Sequence, residues 1–169
     1  DKETSTIRLY YSEVFELRVF FSDLDNSSSP ISDAVASYTI NDFETGESVK
    51  EGSLTDLNNG TYYLEYNTSL LTVKSYYIMI TIFKEHFEGT SATVNLVVDP
   101  IPTIVYSSKI IESMEWGLYS EFLITYNDTR INKGVSADKA TFEITNATWT
   151  SGEIALEVVD VGIYSMNIS

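Results

Sequence analysis

The chain has 169 residues, 43% hydrophobic and 13% aromatic, with a formal net charge of −15 at pH 7 and no Cys. The length allows one large domain or two small ones. The acidity disfavours nucleic acid and anionic membranes as partners. The lack of Cys excludes disulfides and thiolate metal sites. No apolar run approaches the ~18 residues of a membrane span, and twelve Tyr suit sheets better than helices. The first residue is Asp1, with neither initiator Met nor leader, so the chain reads as a processed form or a portion of something longer.

A short strand is predicted over residues 6–11 (TIRLYY). Over 13–22, Phe15, Leu17, Val19 and Phe21 share one face, while Glu16 and Arg18 lie on the other. That is the alternation of a half-buried strand. Residues 23–30 (DLDNSSSP) form a polar loop. Ala34, Ala36, Tyr38 and Ile40 make the next inward set, followed by a turn over 41–46 and a weaker, edge-like strand over 49–57. Gly60 launches a strand over 61–66 with Tyr62, Leu64 and Tyr66 inward. Residues 75–84 (SYYIMITIFK) are apolar on both faces, with Ile78, Ile80 and Ile82 toward the core, and Val94, Leu96 and Val98 alternate over 93–98. Seven strands separated by turn signals predict a β-sandwich.

Asp99-Pro100-Ile101-Pro102 reads as a linker, because two prolines one residue apart hold an extended segment. The expected domains are 1–99 and 103–169, joined by residues 100–102 and set end to end with limited flexing. The second half repeats the first. The segment 17–23 (LRVFFSD) aligns with 122–128 (FLITYND), an offset of 105. Ile31 and Ala36–Ile40 align with Val135 and 140–144, an offset of 104, and Gly60 aligns with Gly162, an offset of 102. Nothing in the second half corresponds to residues 75–98, so that repeat lacks two strands. Two explanations stay open. The chain is a slice of a longer repeat array, or another chain supplies the strands by β-augmentation.

One turn occurs in both halves. Asn58-Asn59-Gly60-Thr61-Tyr62-Tyr63-Leu64 matches Asp160-Val161-Gly162-Ile163-Tyr164-Ser165-Met166. Gly tolerates the positive φ of such a turn, and Tyr becomes the first inward residue of the strand that follows. The spacing resembles the tyrosine corner of immunoglobulin-type sandwiches, with Leu64 or Met166 in the place of the antibody Cys. Taken together, the strand ending in Asp, the Pro- or Gly-containing loop, Ala-x-aromatic-x-Ile, Gly-x-Tyr and Tyr-Tyr-Ile-x-Ile resemble the immunoglobulin-like repeats of prokaryotic, particularly archaeal, surface proteins. The resemblance implies an all-β fold of two such sandwiches in tandem, the second incomplete. It also implies a stalk, surface-layer, adhesin or filament role without catalysis, with other copies or neighbouring repeats as partners.

Six Asn-x-Ser/Thr sequons begin at Asn26, Asn59, Asn67, Asn127, Asn146 and Asn167. Chance predicts about two or three in a chain this rich in Ser and Thr. With the acidity and the lack of Cys they point to an exported, N-glycosylated, extracellular chain. Catalysis finds little support: His86 is the sole His, in a turn, and no nucleophile motif accompanies it. No cofactor is expected, with calcium the one possibility. Asp23 and Asp25 place oxygens on alternate loop positions, Asp128 is the counterpart of Asp23, and Asp99 lies in the linker. Ordinary Asx turns explain the same residues. Tyr63, Tyr77, Trp116 and Trp149 offer aromatic faces for a sugar, which keeps an adhesin or carbohydrate-binding module as the alternative reading.

Overall fold

The computed structural model describes residues 5–108, 120–145 and 148–168. It divides into two compact units, Asp1–Pro100 and Ile101–Ser169, with the boundary inside the proline segment.

Unit 1 contains β1 (Thr6–Tyr10), β2 (Val14–Phe20), β3 (Ser22–Asp23), β4 (Ser29–Pro30), β5 (Val35–Asp42), β6 (Ser48–Ser53), β7 (Thr55–Asp56), β8 (Thr61–Asn67), β9 (Ser75–Phe83) and β10 (Thr90–Asp99). A five-stranded sheet runs β1-β10-β9-β5-β6, and a three-stranded sheet runs β2-β8-β7. The pairs are antiparallel except β1 with β10, which is parallel. Period-two burial follows the predicted inward sets. Tyr76, Ile78, Ile80 and Ile82 of β9 are at most 1% exposed, while Met79 and Phe83 on the opposite face are 42% and 54% exposed. Phe15, Leu64 and Tyr66 from the small sheet close over Ile40, Ile78 and Leu96 from the large one. Each such apolar side chain contributes about 1.5–3 kcal/mol over its exposed state.

The single edge-like strand expected over 49–57 is two strands on different sheets. Leu54, buried between β6 and β7, turns its side chain into the core. Its N–H donates to the Ala36 carbonyl at 3.0 Å, so the chain crosses from the large sheet to the small one at that residue. A hydrophobic residue at the crossing continues the alternation, which is why the sequence reads as one strand.

Unit 2 contains β11 (Thr103–Ser107), β12 (Ser120–Asp128), β13 (Lys133–Gly134), β14 (Thr141–Phe142), β15 (Ile154–Ala155), β16 (Glu157–Asp160) and β17 (Ile163–Ile168). One sheet runs β11-β12-β17-β16, with β13 on β12, and among the described residues β14 pairs with β15 alone. Several pairings of unit 1 recur in unit 2, although β11 pairs antiparallel with β12 where β1 pairs parallel with β10. Ser37↔Ser53 and Tyr38↔Gly52 in β5/β6 become Thr141↔Ala155 and Phe142↔Ile154 in β14/β15. Leu17↔Leu64 becomes Phe122↔Met166. Ser22↔Pro30 becomes Asn127↔Gly134. The Leu54-to-Ala36 bond recurs as Leu156 N–H to the Ala140 carbonyl at 3.0 Å. β9 and β10 have no counterpart among the described residues.

Inside the unit 1 core, Tyr66 packs against Phe15 at 5.9 Å and edge-on against Tyr38 at 6.4 Å between ring centroids. Its buried hydroxyl has no hydrogen-bond partner among the described residues. Such a group costs about 1–3 kcal/mol to bury. Tyr66→Phe is therefore expected to raise stability by roughly 1 kcal/mol in urea denaturation. A clear loss of stability would reveal a partner for the hydroxyl.

Candidate functional site

The repeated Gly-x-Tyr turns are the best-defined sites in the chain. In unit 1 the turn from β7 to β8 is held by its own polar side chains. Asn58 N–H donates to Asp56 Oδ1 at 2.7 Å, and Thr61 N–H donates to Asn59 Oδ1 at 3.0 Å. Asn58 and Gly60 take φ of 59° and 76°, the left-handed region that suits Asn and Gly. Gly60 then meets two other backbone segments. Its carbonyl accepts from Phe21 N–H at 2.8 Å, and the Phe21 carbonyl accepts from Ile31 N–H at 2.9 Å. A Cβ on Gly60 would lie 2.7 Å from Pro30 Cβ and 2.9 Å from the Phe21 carbonyl oxygen. Two residues on, the fully buried Tyr62 hydroxyl donates to the Ile31 carbonyl and accepts from Ala34 N–H, both at 3.0 Å. Burial raises its phenol pKa. One tyrosine thus fixes both ends of the bend that enters β5.

Unit 2 repeats this lock. Gly162 has φ 73°, and its carbonyl accepts from Tyr126 N–H at 2.8 Å. The Tyr126 carbonyl accepts from Val135 N–H at 3.0 Å. A Cβ on Gly162 would fall 2.6 Å from that carbonyl oxygen. The Tyr164 hydroxyl accepts from Ala137 N–H at 2.6 Å, and Asp160 Oδ1 accepts from Val161 N–H at 2.7 Å.

The likeness of these turns to the tyrosine corner needs correction. In immunoglobulin sandwiches that corner opens strand F, after the crossing between sheets, and the hydroxyl bonds backbone a few residues upstream. β8 belongs to the small sheet, and β9 follows the return of the chain to the large one. The corner is Tyr76, the first buried residue of β9. Its hydroxyl donates to the Thr72 carbonyl at 2.9 Å and accepts from Thr72 N–H at 3.0 Å. Two residues later comes Ile78, fully buried, in the position of the antibody Cys. The signal was the Tyr76-Tyr77 doublet at the start of an alternating strand, hidden because no Gly marks the turn. Tyr62 and Tyr164 make a second kind of lock, from β8 to the bend into β5 and from β17 to the bend into β14.

The acidic candidates for calcium are not brought together, and the described residues hold no group of three His, Asp or Glu that could bind a metal. Asp23 Oδ1 accepts from Asp25 N–H at 3.0 Å, an Asx turn. Asp99 pairs with Arg8 at 3.1 Å. Asp128 is buried against Arg130, which binds it through Nη2 at 2.8 Å and Nε at 3.1 Å, and this holds its carboxyl below the ordinary range. A guanidinium beside each of two candidate ligands supplies the positive charge a cation would have brought. A further charged pair escaped sequence reading. Asp42, 6% exposed, holds Lys74, while its Oδ1 accepts Glu44 N–H at 2.8 Å and Thr45 N–H at 3.2 Å. Lys74 first, and then the two amides, lower its pKa.

Asn26, Asn59, Asn67 and Asn167 are exposed, whereas Asn127 is 8% exposed. Asn127 Nδ2, the atom a glycan would occupy, donates to Asn132 Oδ1 at 3.2 Å and to the Tyr106 hydroxyl at 3.4 Å. Asn127 is therefore withdrawn as a glycan acceptor in the folded chain. Asn146 lies outside the described residues, as does Trp116. Tyr63 and Tyr77 stand on the outer faces of different sheets and form no common platform. Arg18 stacks over the Tyr63 ring at 5.5 Å, and partial burial with the Glu65 acceptor pushes that phenol up to about 12. Trp149 is 57% exposed. His86 sits in the β9–β10 turn at φ 70°, its side chain 85% exposed.

No protein-family model and no curated protein matches the chain. Among solved structures it is similar to Dpr2 Ig1-Ig2, solved in complex with DIP-Theta Ig1-Ig3. The identity is 10% over 99% of this chain and 84% of that one, with a TM-score of 0.40. It is similar also to the native alpha-2-macroglobulin of E. coli, 11% identical over 95% of this chain and 11% of that one, TM-score 0.39. The trypsin-activated E. coli form gives 12% identity over 99% and 13%, TM-score 0.38. These likenesses are of fold alone.

Two outcomes follow from the site. Tyr62→Phe strands an amide and a carbonyl and is expected to cost about 2–3 kcal/mol in denaturant melts. Gly60→Ala combines a left-handed φ with backbone overlap and should cost about 2–4 kcal/mol; a neutral result for either variant would remove the lock. For Asp42, the folded pKa lies below the unfolded one. Its contribution is therefore complete above the ordinary carboxylate range and is lost as pH falls through the depressed folded value. Melting temperatures of the parent chain and of Asp42→Asn should differ at neutral pH and converge in acid; a constant gap would contradict the pairing.

Proposed function

We propose that the chain is a non-catalytic structural repeat of an extracellular cell surface, a stalk, surface-layer or filament component of archaeal type. The observation that carries this reading is the duplication of one backbone-locked sandwich plan within a single chain. Tandem copies of a stable β unit extend length without requiring a catalytic centre, and nearest-neighbour stacking is how such arrays grow. Four exposed sequon asparagines, Asn26, Asn59, Asn67 and Asn167, support an N-glycosylated surface. The net charge of −15 supports solubility and mutual repulsion of neighbouring copies.

A second reading, an adhesin, is favoured by one surface. Val35 and Phe83 face each other across the β5–β9 ladder, 72% and 54% exposed, with Phe87 at 37% in the adjoining turn. Exposed apolar clusters of this kind suit a partner contact.

Intact mass of the protein purified from the cells that make it, before and after removal of N-glycans, tests the first reading. Glycan mass on exposed sequons, and none on Asn127, is expected. An unmodified mass, or recovery in the cytosolic fraction, would end it.

A further inference from the structure

Unit 2 carries a half-built core. Ile40 is fully buried in unit 1, while Ile144, its counterpart at offset 104, is 38% exposed. Ala140, Phe142 and Leu156 are likewise only partly buried or exposed where Ala36, Tyr38 and Leu54 are buried. An open cleft of about 530 Å³ lies along this face, lined by Ile124, Tyr126, Ala140, Leu156 and Tyr164 among others. These are the residues that would face an opposing sheet.

The strand lengths tell the same story. β5 pairs with β9 along its whole length, from Val35↔Phe83 to Asp42↔Tyr76, and with β6 on its other side. Among the described residues its counterpart β14, Thr141–Phe142, pairs with β15 alone. A strand with one neighbour satisfies half of its backbone groups, which explains the shortening.

The geometry points to one occupant for this face: an antiparallel β-hairpin with the inward alternation of β9 and β10, joined to the end of β17 as β9 is joined to the end of β8. The offset of 102 carries β8 onto β17, so the incoming strand enters at the same corner. Its register is fixed by unit 1. Tyr38↔Ile80 and Ile40↔Ile78 translate into β-branched residues opposite Phe142 and Ile144, antiparallel to β14. A Tyr at the equivalent of Tyr76 would begin the strand and supply the corner that unit 2 lacks among its described residues. This closure is independent of the surface role proposed above.

The test appends a copy of residues 68–100 after Ser169, which is the counterpart of Asn67. Amide hydrogen exchange is then read in unit 2. Exchange at Thr141 and Glu143, whose N–H groups face away from β15, is expected to slow by about tenfold or more in the extended chain. It should not slow in an extended chain whose copies of Ile78, Ile80 and Ile82 are Ser. If the extended chain fails to refold, a peptide of residues 74–84 added to the parent chain should slow the same amides with dose. No slowing in either format overturns the inference. So does a parent chain that already protects these amides by forming dimers in sedimentation, since a strand of a second copy would then be the occupant.

Discussion

Everything in both units is arranged around a glycine at which three stretches of backbone touch. At Gly60 the start of β8, the end of β2 and the segment leaving β4 come within hydrogen-bonding distance, and no Cβ fits between them. Gly162 does the same for β17, β12 and β13. Because two strands and a loop are fixed at one point, the register of the small sheet follows: Phe20↔Thr61 in one unit, Thr125↔Ile163 in the other. The tyrosine two residues later extends this constraint across the core. Its ring occupies the space between layers, while its hydroxyl holds the backbone that enters the opposite sheet. Turn, register and inter-sheet connection thus depend on one short motif.

The units differ in what this constraint is given to organise. In unit 1 it sets one wall of a core whose other wall is β9 and β10, with Ile78, Ile80, Ile82 and Leu96 all at most 1% exposed. In unit 2 the same wall stands without that opposing pair among the described residues, and of the apolar side chains described there only Tyr164 is below a tenth exposed. Local hydrogen bonds keep the plan, whereas burial, the larger free energy, is incomplete. The Arg130–Asp128 pair and the Thr129 bonds to the Pro102 carbonyl brace unit 2 where unit 1 has the exposed Asp23–Asp25 turn.

Much of this was legible in the sequence because alternation and turn chemistry are local. The inward sets of β2, β5, β8, β9 and β10 follow from period two, and the offsets of 105, 104 and 102 follow from side-chain character alone. What escaped depends on distant partners. Asp99 finds Arg8, 91 positions away, and becomes half of an ion pair instead of a linker ligand. Asn127 carries a sequon but lies where β12 meets β13, so its amide turns inward. The sheet crossing at Leu54 is silent, since a residue moving between layers keeps its place in the alternation. Tyr76 reads in the sequence only as part of Tyr-Tyr-Ile-x-Ile, although its bond is four residues upstream; without a Gly, nothing in the local pattern marks the bend.

The most direct test of this arrangement is site-resolved amide hydrogen exchange at six positions: Phe21, Ile31 and Ala34 in unit 1, and Tyr126, Val135 and Ala137 in unit 2. If the glycine–tyrosine contacts organise both units, each of these amides exchanges among the slowest of its own unit, including Ala34 and Ala137, which lie outside any strand. If Ala34 and Ala137 exchange as fast as the neighbouring loop amides, the contacts do not hold the units together and the shared plan has another origin.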